Sequence, residues 1–360
     1  MKIVIYARNF YQNNGIKIGG VETYVLALVD TFKTSHEIVV IQEGSCEEEA
    51  EVNGVHIKTF VAKEKKHLAL EILKYLNVND ILIFSTDQLF LKLNHKKTIT
   101  IQHGIHWDLP SVYYLKFSNL FANFMKIYDL IRNKYRLRTC GRIVCVDYIY
   151  PTWMRIINGE KVDNFRTILN FSNIACSKIP KEIKGRSEVK ILFARRFVRI
   201  RGVEILVELA KHYSNNKSVK FIAAGEGPML LFINDAVKKY GNIEVCNVPQ
   251  NQISRLLDDA TITIVPSIGS EGSSLIAAES MAQGVPVIAS SVGGLTNIII
   301  NKFNGILVSP DAKAFARAID ELLVNPAMYR QVSKNSIAVA NSALSYSEWQ
   351  SSWRDLIDEI

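Results

Sequence analysis

The sequence predicts an α/β protein built from two doubly wound domains, each with a mainly parallel sheet. The chain has 360 residues, and since domains of about 150 residues are common, two are expected. Short runs rich in valine and isoleucine alternate with helical segments through both halves. These runs are continuously apolar, which is typical of parallel strands covered on both faces. Repeated strand–helix alternation of this kind builds doubly wound sheets.

The predicted strands fall into two sets. The first set is 2–7, 37–42, 55–61, 80–85, 98–102, 142–146 and 166–170. The second set is 188–194, 219–224, 243–248, 261–266, 285–289 and 305–309.

A polar stretch without periodicity, 172–187, carries Pro180 and Gly185 and predicts the linker. The domains are therefore expected at 1–171 and 188–345. The last segment, 346–360, places Trp349, Trp353 and Leu356 on one helix face. This segment is predicted to be a packing helix, with the first domain as its candidate partner.

Composition narrows the class of protein. Hydrophobic residues make up 48% and charged residues 22%, which excludes a mainly disordered, collagenous or coiled-coil chain. The five cysteines are scattered without a CxxC pair, so neither a disulfide framework nor a zinc ribbon is expected and a reducing cytosol fits. No apolar stretch reaches the length of a membrane span. The apolar run at the beginning of the sequence is too short for a signal peptide. The net charge of +8 favours anionic partners without choosing among nucleic acid, phosphorylated ligands and membrane.

Ligands of open α/β sheets bind beyond the carboxyl ends of the strands, so the loops there are the candidate sites. Gly19 and Gly20 precede a helical run, where backbone N–H groups can bind phosphate; a plain turn is the alternative. The segment 193–202 holds four arginines within seven residues. Their guanidinium groups suit phosphate oxygens, although a soluble surface would also explain them.

The loop and helix at 266–284 carry two glutamates, Glu271 and Glu279, eight residues apart. Along an ideal helix this spacing spans about 12 Å. A nucleotide sugar needs carboxylates at two places, the ribose and the sugar, on either side of its diphosphate. A capping loop with one exposed glutamate is the alternative, but Glu279 lies among apolar residues, where an unpaired charge is costly.

His103 and His106 follow the strand 98–102 and could line a cleft, although a histidine at a strand end is more often structural. No HExxH motif, nearby cysteine or DxD triplet accompanies them, so no metal site is predicted.

Five segments occur in a familiar order: GGVETYV, ARRFVRIRG, FIAAGEGPM, PSIGSEGSSLIAAESMAQGVPVIASSVGG and NGILVSPDAKAFARAIDELL. With them the chain resembles the retaining glycosyltransferases of family 4 over nearly its whole length. Those enzymes have the GT-B fold, two facing Rossmann-like domains with a cleft between them. The most specific part is 264–310, where Glu271 and Glu279 form the E-x7-E motif of that family.

The resemblance implies a role for each matching position. Glu279 would hold the donor ribose and Glu271 the hydroxyls of the transferred sugar. Arg196 and Arg201 would contact the phosphates, and His103 would lie near the reacting centre. The diphosphate would also meet the backbone of Gly19, Gly20, Gly272, Ser273, Ser274 and Leu275, and the base would lie near Val248.

The sequence departs from that family at several positions. Arg201 stands where lysine is usual, Ser273 replaces a common aromatic residue, Asp147 replaces a frequent serine, and Asn170 lacks the glycine that usually follows it. The expected activity is the metal-independent transfer of a sugar from a nucleotide sugar to a glycan or lipid-linked sugar. The nucleotide of the donor is expected to be UDP or GDP, and no cofactor is expected. The resemblance implies that this transfer takes part in bacterial surface-polysaccharide synthesis, for example of lipopolysaccharide (O-antigen), capsule or exopolysaccharide, with the enzyme in the cytoplasm or peripherally on the inner face of the membrane.

The acceptor is expected to bind the first domain, whose segment 112–142 has seven basic and seven aromatic residues against one acid. Its aromatic stripe either faces the core or, together with the basic residues, contacts an anionic membrane. The stripe is Tyr114, Phe117, Phe121, Phe124 and Tyr128.

Other functions are weaker matches. A nucleotide-sugar epimerase shares the architecture, and a catalytically silent GT-B partner subunit would keep the fold, although loss of Glu271 or of the arginines would then be expected. A phosphorylase would need a longer chain and pyridoxal phosphate. Nucleic-acid binding lacks a recognition motif, and a dehydrogenase would need a GxGxxG loop.

Overall fold

The computed structural model describes residues 1–12, 15–16, 19–52, 54–62, 64–105, 107, 119–137, 139–158, 164–183, 188–248, 252–269 and 271–360. The chain forms two compact units. The first comprises Met1–His103, Tyr128–Ile168 and Gln350–Ile360, and the second comprises Gly104–Ile127 and Leu169–Trp349.

The first unit is built on a mainly parallel sheet. Its strands, as described, are β1 (Lys2–Tyr6), β4 (Glu37–Glu43), β5 (Glu48–Val52), β6 (Val55–Phe60), β7 (Ile81–Phe84), β8 (Thr98–Gln102), β9 (Arg142–Cys145) and β10 (Phe165–Thr167). Their spatial order is β10-β9-β8-β7-β1-β4-β6-β5. A short antiparallel pair, β2 (Tyr11–Gln12) and β3 (Gly15–Ile16), lies in the loop after β1.

Two features of this unit were not expected from the sequence. The strand β5 runs antiparallel to β6 at the sheet edge. Its residues, EEAEV, are mostly exposed, so the strand has no apolar run that would indicate it. The pair β2–β3 is too short to show a period of two. Both form through backbone pairing with a neighbouring strand and not around an apolar run.

The helices of the first unit cover the sheet. They are α1 (Gly20–Phe32), α2 (Lys65–Lys74) and α4 (Ile149–Asn158), and α3 (Asn119–Leu137) begins in the second unit and ends in the first. Helix α1 starts directly after Gly19, as the glycine pair predicts, and its buried side includes Tyr24, Leu28 and Phe32.

The second unit contains a parallel sheet in the order β13-β12-β11-β14-β15-β16. Its strands are β11 (Val189–Ala194), β12 (Val219–Ala224), β13 (Ile243–Cys246), β14 (Ile262–Val265), β15 (Val287–Ser290) and β16 (Ile306–Val308). Consecutive side chains of β11 are buried in two different hydrophobic clusters, Ile191 and Phe193 in one and Leu192 in the other. The sheet is thus covered on both faces, which explains the continuous apolar runs.

Helices pack on both faces of this second sheet. They are α5 (Val203–His212), α6 (Leu230–Tyr240), α7 (Ile253–Asp259), α8 (Leu275–Ala282), α9 (Leu295–Ile298), α10 (Ala312–Val324) and α11 (Pro326–Ala343). The chain passes from β11 outward to β13 and then returns to β14 on the other side of β11. The reversal point between β11 and β14 is where open α/β sheets bind ligands.

The final helix, α12 (Tyr346–Asp358), crosses from the second unit to the first. Its predicted apolar face, Trp349, Trp353 and Leu356, is buried. Within the first unit, Trp353 Nε1 donates a hydrogen bond to the Tyr24 hydroxyl at 3.0 Å. This end of the chain therefore contributes to the core of the first unit.

Candidate functional site

The candidate site of the second unit is centred on the carboxylate of Glu271. Arg195 follows β11, and Ser267 and Glu271 follow β14, so all three lie at the reversal point of the sheet. Arg195 Nη2 donates to Glu271 Oε2 at 2.6 Å, and the Ser267 hydroxyl donates to the same oxygen at 2.5 Å. Arg201 Nη1 also pairs with Oε2. One buried carboxylate oxygen thus accepts three hydrogen bonds, two of them from cations.

Glu271 is ionised in this setting. Burial by itself acts to raise the pKa of Glu271, but Arg195, Arg201 and the Ser267 hydroxyl outweigh it and hold the pKa below its usual range. The side chains of Glu271 and Arg195 are each 6% exposed, whereas that of Arg201 is 29% exposed. The carboxylate is therefore charged at neutral pH and is held in one orientation by its partners.

The loop after Glu271 leads into α8 through a strained residue. Ser274 precedes the helix with φ at +30°, a conformation that is costly for a residue other than glycine. In the described part of the chain, no side chain caps this helix. The Ser273 hydroxyl accepts a hydrogen bond from the Asn170 backbone N–H at 2.8 Å. The loop is thereby tied to the segment after β10, and the N-terminus of α8 suits an anion.

Glu279 lies inside α8, as the pattern predicts, and is 2% exposed. Its neighbours along the helix are buried alanine, serine and methionine residues. A carboxylate so deeply buried is costly unless it is hydrogen-bonded. Glu279 and Glu271 are thus two buried carboxylates on the same loop–helix segment.

Glycines with positive φ let backbone segments approach closely around this site. Gly202, with φ at +82°, follows Arg201, and a Cβ there would collide with the carbonyl oxygen of Pro266 at the end of β14. Gly225, with φ at +145°, lies against the carbonyl of Arg195 in the same way. The first glycine of the GEGPM segment, Gly225, therefore allows the close approach of this loop to the backbone of Arg195.

The two adjacent arginines occupy different environments. Arg196, the position assigned to the phosphates, is exposed, whereas Arg195 is the residue that meets Glu271. The sequence places Arg195 in the arginine cluster of 193–202, but the resemblance assigns only Arg196 and Arg201 to the site. A signal was present, because Arg195 directly follows the last residue of a predicted buried strand at the edge where ligands bind.

The remaining predicted residues lie as follows. Gly272, Ser273 and Ser274 are buried, Leu275 is half-buried at the start of α8, and Val248 is half-buried beside the core of the second unit. His106 and residues 108–118, which include Tyr114 and Phe117 of the aromatic stripe, lie outside the described residues.

Three predicted site residues belong to the first unit. Gly19 and Gly20 stand at the start of α1, where no described side chain caps the helix. His103 follows β8; its Nε2 donates to the Ser85 carbonyl oxygen at 2.9 Å, and its ring packs edge-on against Tyr24. Because a carbonyl only accepts, Nε2 carries the hydrogen and Nδ1 is the basic nitrogen of the neutral ring.

Burial lowers the pKa of His103 to about 4, against the opposing effect of the Ser85 carbonyl. The histidine is therefore neutral at physiological pH and can accept a hydrogen bond but carries no charge.

This pKa predicts an acid sensitivity of the fold. In the unfolded chain a histidine titrates near about 6.5, so between that pH and about 4 only the unfolded state binds the proton. The free energy of unfolding is expected to fall as the pH drops through this window. Urea denaturation at several pH values should show that His103→Gln flattens this dependence, while replacement of the exposed His67 leaves it unchanged. If the free energy of unfolding of His103→Gln depends on pH in the same way as that of the wild type, His103 is not the source of the acid sensitivity.

In the part of the chain that the structure describes, no group of three or more histidine, cysteine or acidic side chains is arranged to hold a metal ion. Among the described helices, none combines the length and apolar character that a bilayer-spanning segment needs.

One protein-family model matches nearly half of the chain. Residues 177–339, which lie within the second unit and include Arg195, Glu271 and Glu279, match the model described as glycosyl transferases group 1. Over these residues the chain is similar to the group 1 glycosyltransferases. The matched range contains the E-x7-E motif and the arginine segment on which the resemblance in the sequence rests.

Relatives and solved structures extend the comparison. An uncharacterised glycosyltransferase of Methanocaldococcus jannaschii is 31% identical over 141 residues, which are 38% of this chain and 36% of that protein. The chain spans about half or less of the length of the first curated relatives it matches.

Two of the solved structures that resemble this chain over nearly its whole length are a sucrose-phosphate synthase and HepE. The sucrose-phosphate synthase of Thermosynechococcus elongatus superposes with a TM-score of 0.77 at 19% identity, covering 99% of this chain and 98% of that one. The Anabaena protein HepE, solved with UDP-glucose, superposes at 0.75 and 14% identity with full coverage of both chains. At such identities the likeness concerns the fold, and it confirms the predicted GT-B class.

Proposed function

We propose that the chain is a retaining glycosyltransferase that moves a sugar from a nucleoside-diphosphate sugar to a hydroxyl group of a glycan or lipid-linked sugar. The observation that carries the proposal is the loop of Glu271. It holds an ionised, buried carboxylate between two arginines, directly before a helix start that no described side chain caps. A carboxylate suits sugar hydroxyls, and a helix N-terminus with adjacent cations suits a diphosphate.

The chemistry follows from where charge develops. As the bond between sugar and diphosphate breaks, negative charge accumulates on the leaving diphosphate. Arg201, the exposed Arg196 and the N-terminus of α8 would stabilise that charge. Fixed cations of this kind can replace a divalent metal ion, so we expect activity in the presence of EDTA. Retention of configuration is inferred from the E-x7-E resemblance, and NMR of the product anomer tests it.

The donor is identified by thermal stabilisation. UDP, GDP, ADP and dTDP are each added with magnesium or with EDTA to the wild type and to Glu279→Ala. A ligand at one hundred times its dissociation constant stabilises by about 2.7 kcal/mol, which raises the melting temperature by several degrees. We expect one nucleotide to stabilise the wild type with and without metal, and Glu279→Ala to lose most of that shift. The absence of any shift would favour a catalytically silent subunit.

The exposed surface of α3 gives information about the kind of acceptor. Phe121, Phe124, Tyr128 and Ile131 recur at intervals of three and four residues and are 41%, 61%, 49% and 46% exposed. The described part of the aromatic stripe thus faces away from the core. Lys126, Arg132 and Lys134 lie on the same helix against one acid, Asp129.

An exposed apolar stripe flanked by basic residues suits an anionic lipid surface. We infer that the enzyme associates peripherally with the inner face of the cytoplasmic membrane through α3. There it would extend a lipid-linked sugar in the synthesis of O-antigen, capsule or exopolysaccharide.

Vesicle binding tests this surface. The wild type is expected to co-sediment with vesicles containing phosphatidylglycerol and not with neutral vesicles. Burial of one phenylalanine side chain contributes about 1.5–3 kcal/mol, so Phe124→Ser should weaken binding about tenfold or more. Arg132→Glu should weaken it and reduce its salt dependence.

Val324→Ser, which removes a lone side chain 80% exposed on α10 of the second unit, is the matched control. Equal binding of Phe124→Ser and the wild type would remove the membrane assignment.

A further inference from the structure

Glu271 has two arginine partners, although its own charge needs only one. Arg195 and Arg201 both reach Oε2, and in the described part of the chain no hydrogen bond reaches Oε1. The two guanidinium groups differ in setting, because Arg195 is buried with the carboxylate and Arg201 is partly exposed. This asymmetry suggests that the two arginines serve different purposes.

The backbone of Arg195 is held from both sides. Its N–H donates to the Ala224 carbonyl oxygen at 2.9 Å, and its own carbonyl lies against Gly225, where a Cβ could not fit. Phe197, two residues on, donates to the Glu226 carbonyl at 2.7 Å. Arg195 therefore cannot shift toward a ligand without disturbing the end of β11.

Arg201 is placed to move. It lies in the one-turn 3-10 helix Arg199–Arg201, with its side chain partly in solvent. The proposed function requires Arg201 on the diphosphate and Glu271 on the sugar. When Arg201 turns to the diphosphate, Glu271 loses one cation while its side chain remains buried. A buried carboxylate left without a partner destabilises the protein strongly or takes up a proton.

Arg195 can compensate for that loss. In the described residues, its Nη1 group is buried without a hydrogen-bond partner, and Glu271 Oε1 accepts none. A guanidinium can donate to both oxygens of a carboxylate in a forked arrangement. The pair can therefore become bidentate as Arg201 leaves.

We propose that Arg195 is the positioning residue that keeps Glu271 charged and aimed at the transferred sugar while Arg201 engages the diphosphate. This inference rests on the proposed function. In this inference the two arginines have different roles. Arg195 stays paired with the carboxylate of Glu271, and Arg201 pairs with either that carboxylate or the diphosphate. Among the described residues, the side chains that face Glu271 are Arg195, Arg201 and Ser267, and the turn at 293–294 contributes backbone.

Proton uptake on nucleotide binding tests the proposal with nucleotide alone. Binding of UDP, or of GDP if that is the nucleotide that stabilises the wild type, is measured by calorimetry at pH 6 in buffers of different ionisation enthalpy. In the wild type, Glu271 stays charged through Arg195, so the site adds no proton uptake. In Arg195→Met, departure of Arg201 leaves Glu271 unpaired, and we expect binding to take up as much as one additional proton. The affinity of that variant should accordingly rise as the pH falls.

Variants separate positioning from folding. Arg195→Gln removes the charge while keeping a hydrogen-bond donor and should show the same extra uptake if Arg195→Met does not fold. Arg195→Lys keeps a cation and should restore most of the wild-type behaviour. Arg199→Met removes a nearby arginine that pairs instead with Glu204 and should match the wild type.

A second measurement compares UDP with UDP-glucose, or GDP with GDP-mannose. Arg195→Met should leave nucleotide affinity at pH 8 within about twofold but weaken the nucleotide sugar about tenfold, the loss expected for one charged hydrogen bond. Proton uptake equal to that of the wild type, in an Arg195→Met protein that binds nucleotide, overturns the inference alone. A wild type that binds no nucleotide overturns the proposed function and the inference with it.

Discussion

Glu271→Ala is expected to lower the free energy of unfolding of the second unit by about 3–5 kcal/mol, the cost of breaking a buried ion pair. The substitution leaves Arg195 at 6% exposure without its carboxylate partner. A destabilisation of this size corresponds to a fall in melting temperature on the order of ten degrees. Arg201 is partly exposed and can be solvated, so most of the cost arises from Arg195.

Differential scanning calorimetry and urea denaturation measure this effect. The double variant Arg195→Met/Glu271→Gln removes both charges and should recover most of the lost stability, because no buried ion is left unpaired. Glu321→Ala breaks the exposed pair with Lys302 and should cost less than about 1 kcal/mol. If Glu271→Ala costs no more than Glu321→Ala, the carboxylate is not the partner on which Arg195 depends.

The same variant should lose activity in a donor-dependent way. Loss of the hydrogen bonds that a charged carboxylate makes to sugar hydroxyls costs about 1.5–3 kcal/mol each, which corresponds to a decrease of about ten- to a hundredfold in kcat/KM. Assays below the melting temperature of the variant separate this loss from unfolding. Activity equal to the wild type would remove Glu271 from the proposed sugar site.

Gly202→Ala is expected to have the second large effect, because it combines two penalties. The residue has φ at +82°, and a Cβ would collide with the Pro266 carbonyl oxygen. A left-handed conformation costs an alanine about 1–2 kcal/mol, and the collision forces the turn away from the end of β14. Since Arg201 precedes Gly202 and Glu271 follows β14, the movement should separate the ion pair as well as destabilise the unit.

Gly241→Ala provides the matched control. Gly241 ends α6 with φ at +70°, and its Cβ would meet nothing within 4 Å. This variant carries the conformational penalty alone and should lose only about 1 kcal/mol, with activity unchanged. Gly202→Ala should lose several times more stability and about tenfold or more in activity. Equal effects of the two substitutions would show that the approach of Gly202 to Pro266 has no role.

The sequence by itself determined the fold class and most of the strands. The apolar runs at 37–42, 98–102 and 219–224 became β4, β8 and β12 with bounds that differ by at most one residue. Such runs reflect burial on both faces, a local property that survives without knowledge of the neighbours. The pattern also placed Glu271 before a helix and Glu279 within it, because glycine and serine mark the loop and alanine and methionine mark the helix.

Only the tertiary structure decided which arginine meets Glu271. Arg195 and Arg196 are adjacent and chemically identical, but consecutive side chains at a strand end point to opposite sides. One is buried against a carboxylate 76 residues away, and the other is exposed. Likewise, the spacing of three and four residues along α3 predicted one aromatic stripe, but it did not predict whether that stripe is buried or exposed. Burial, as at His103, and the ion pair of Arg195 with Glu271 depend on side chains that are distant in the sequence and are brought together only by the fold.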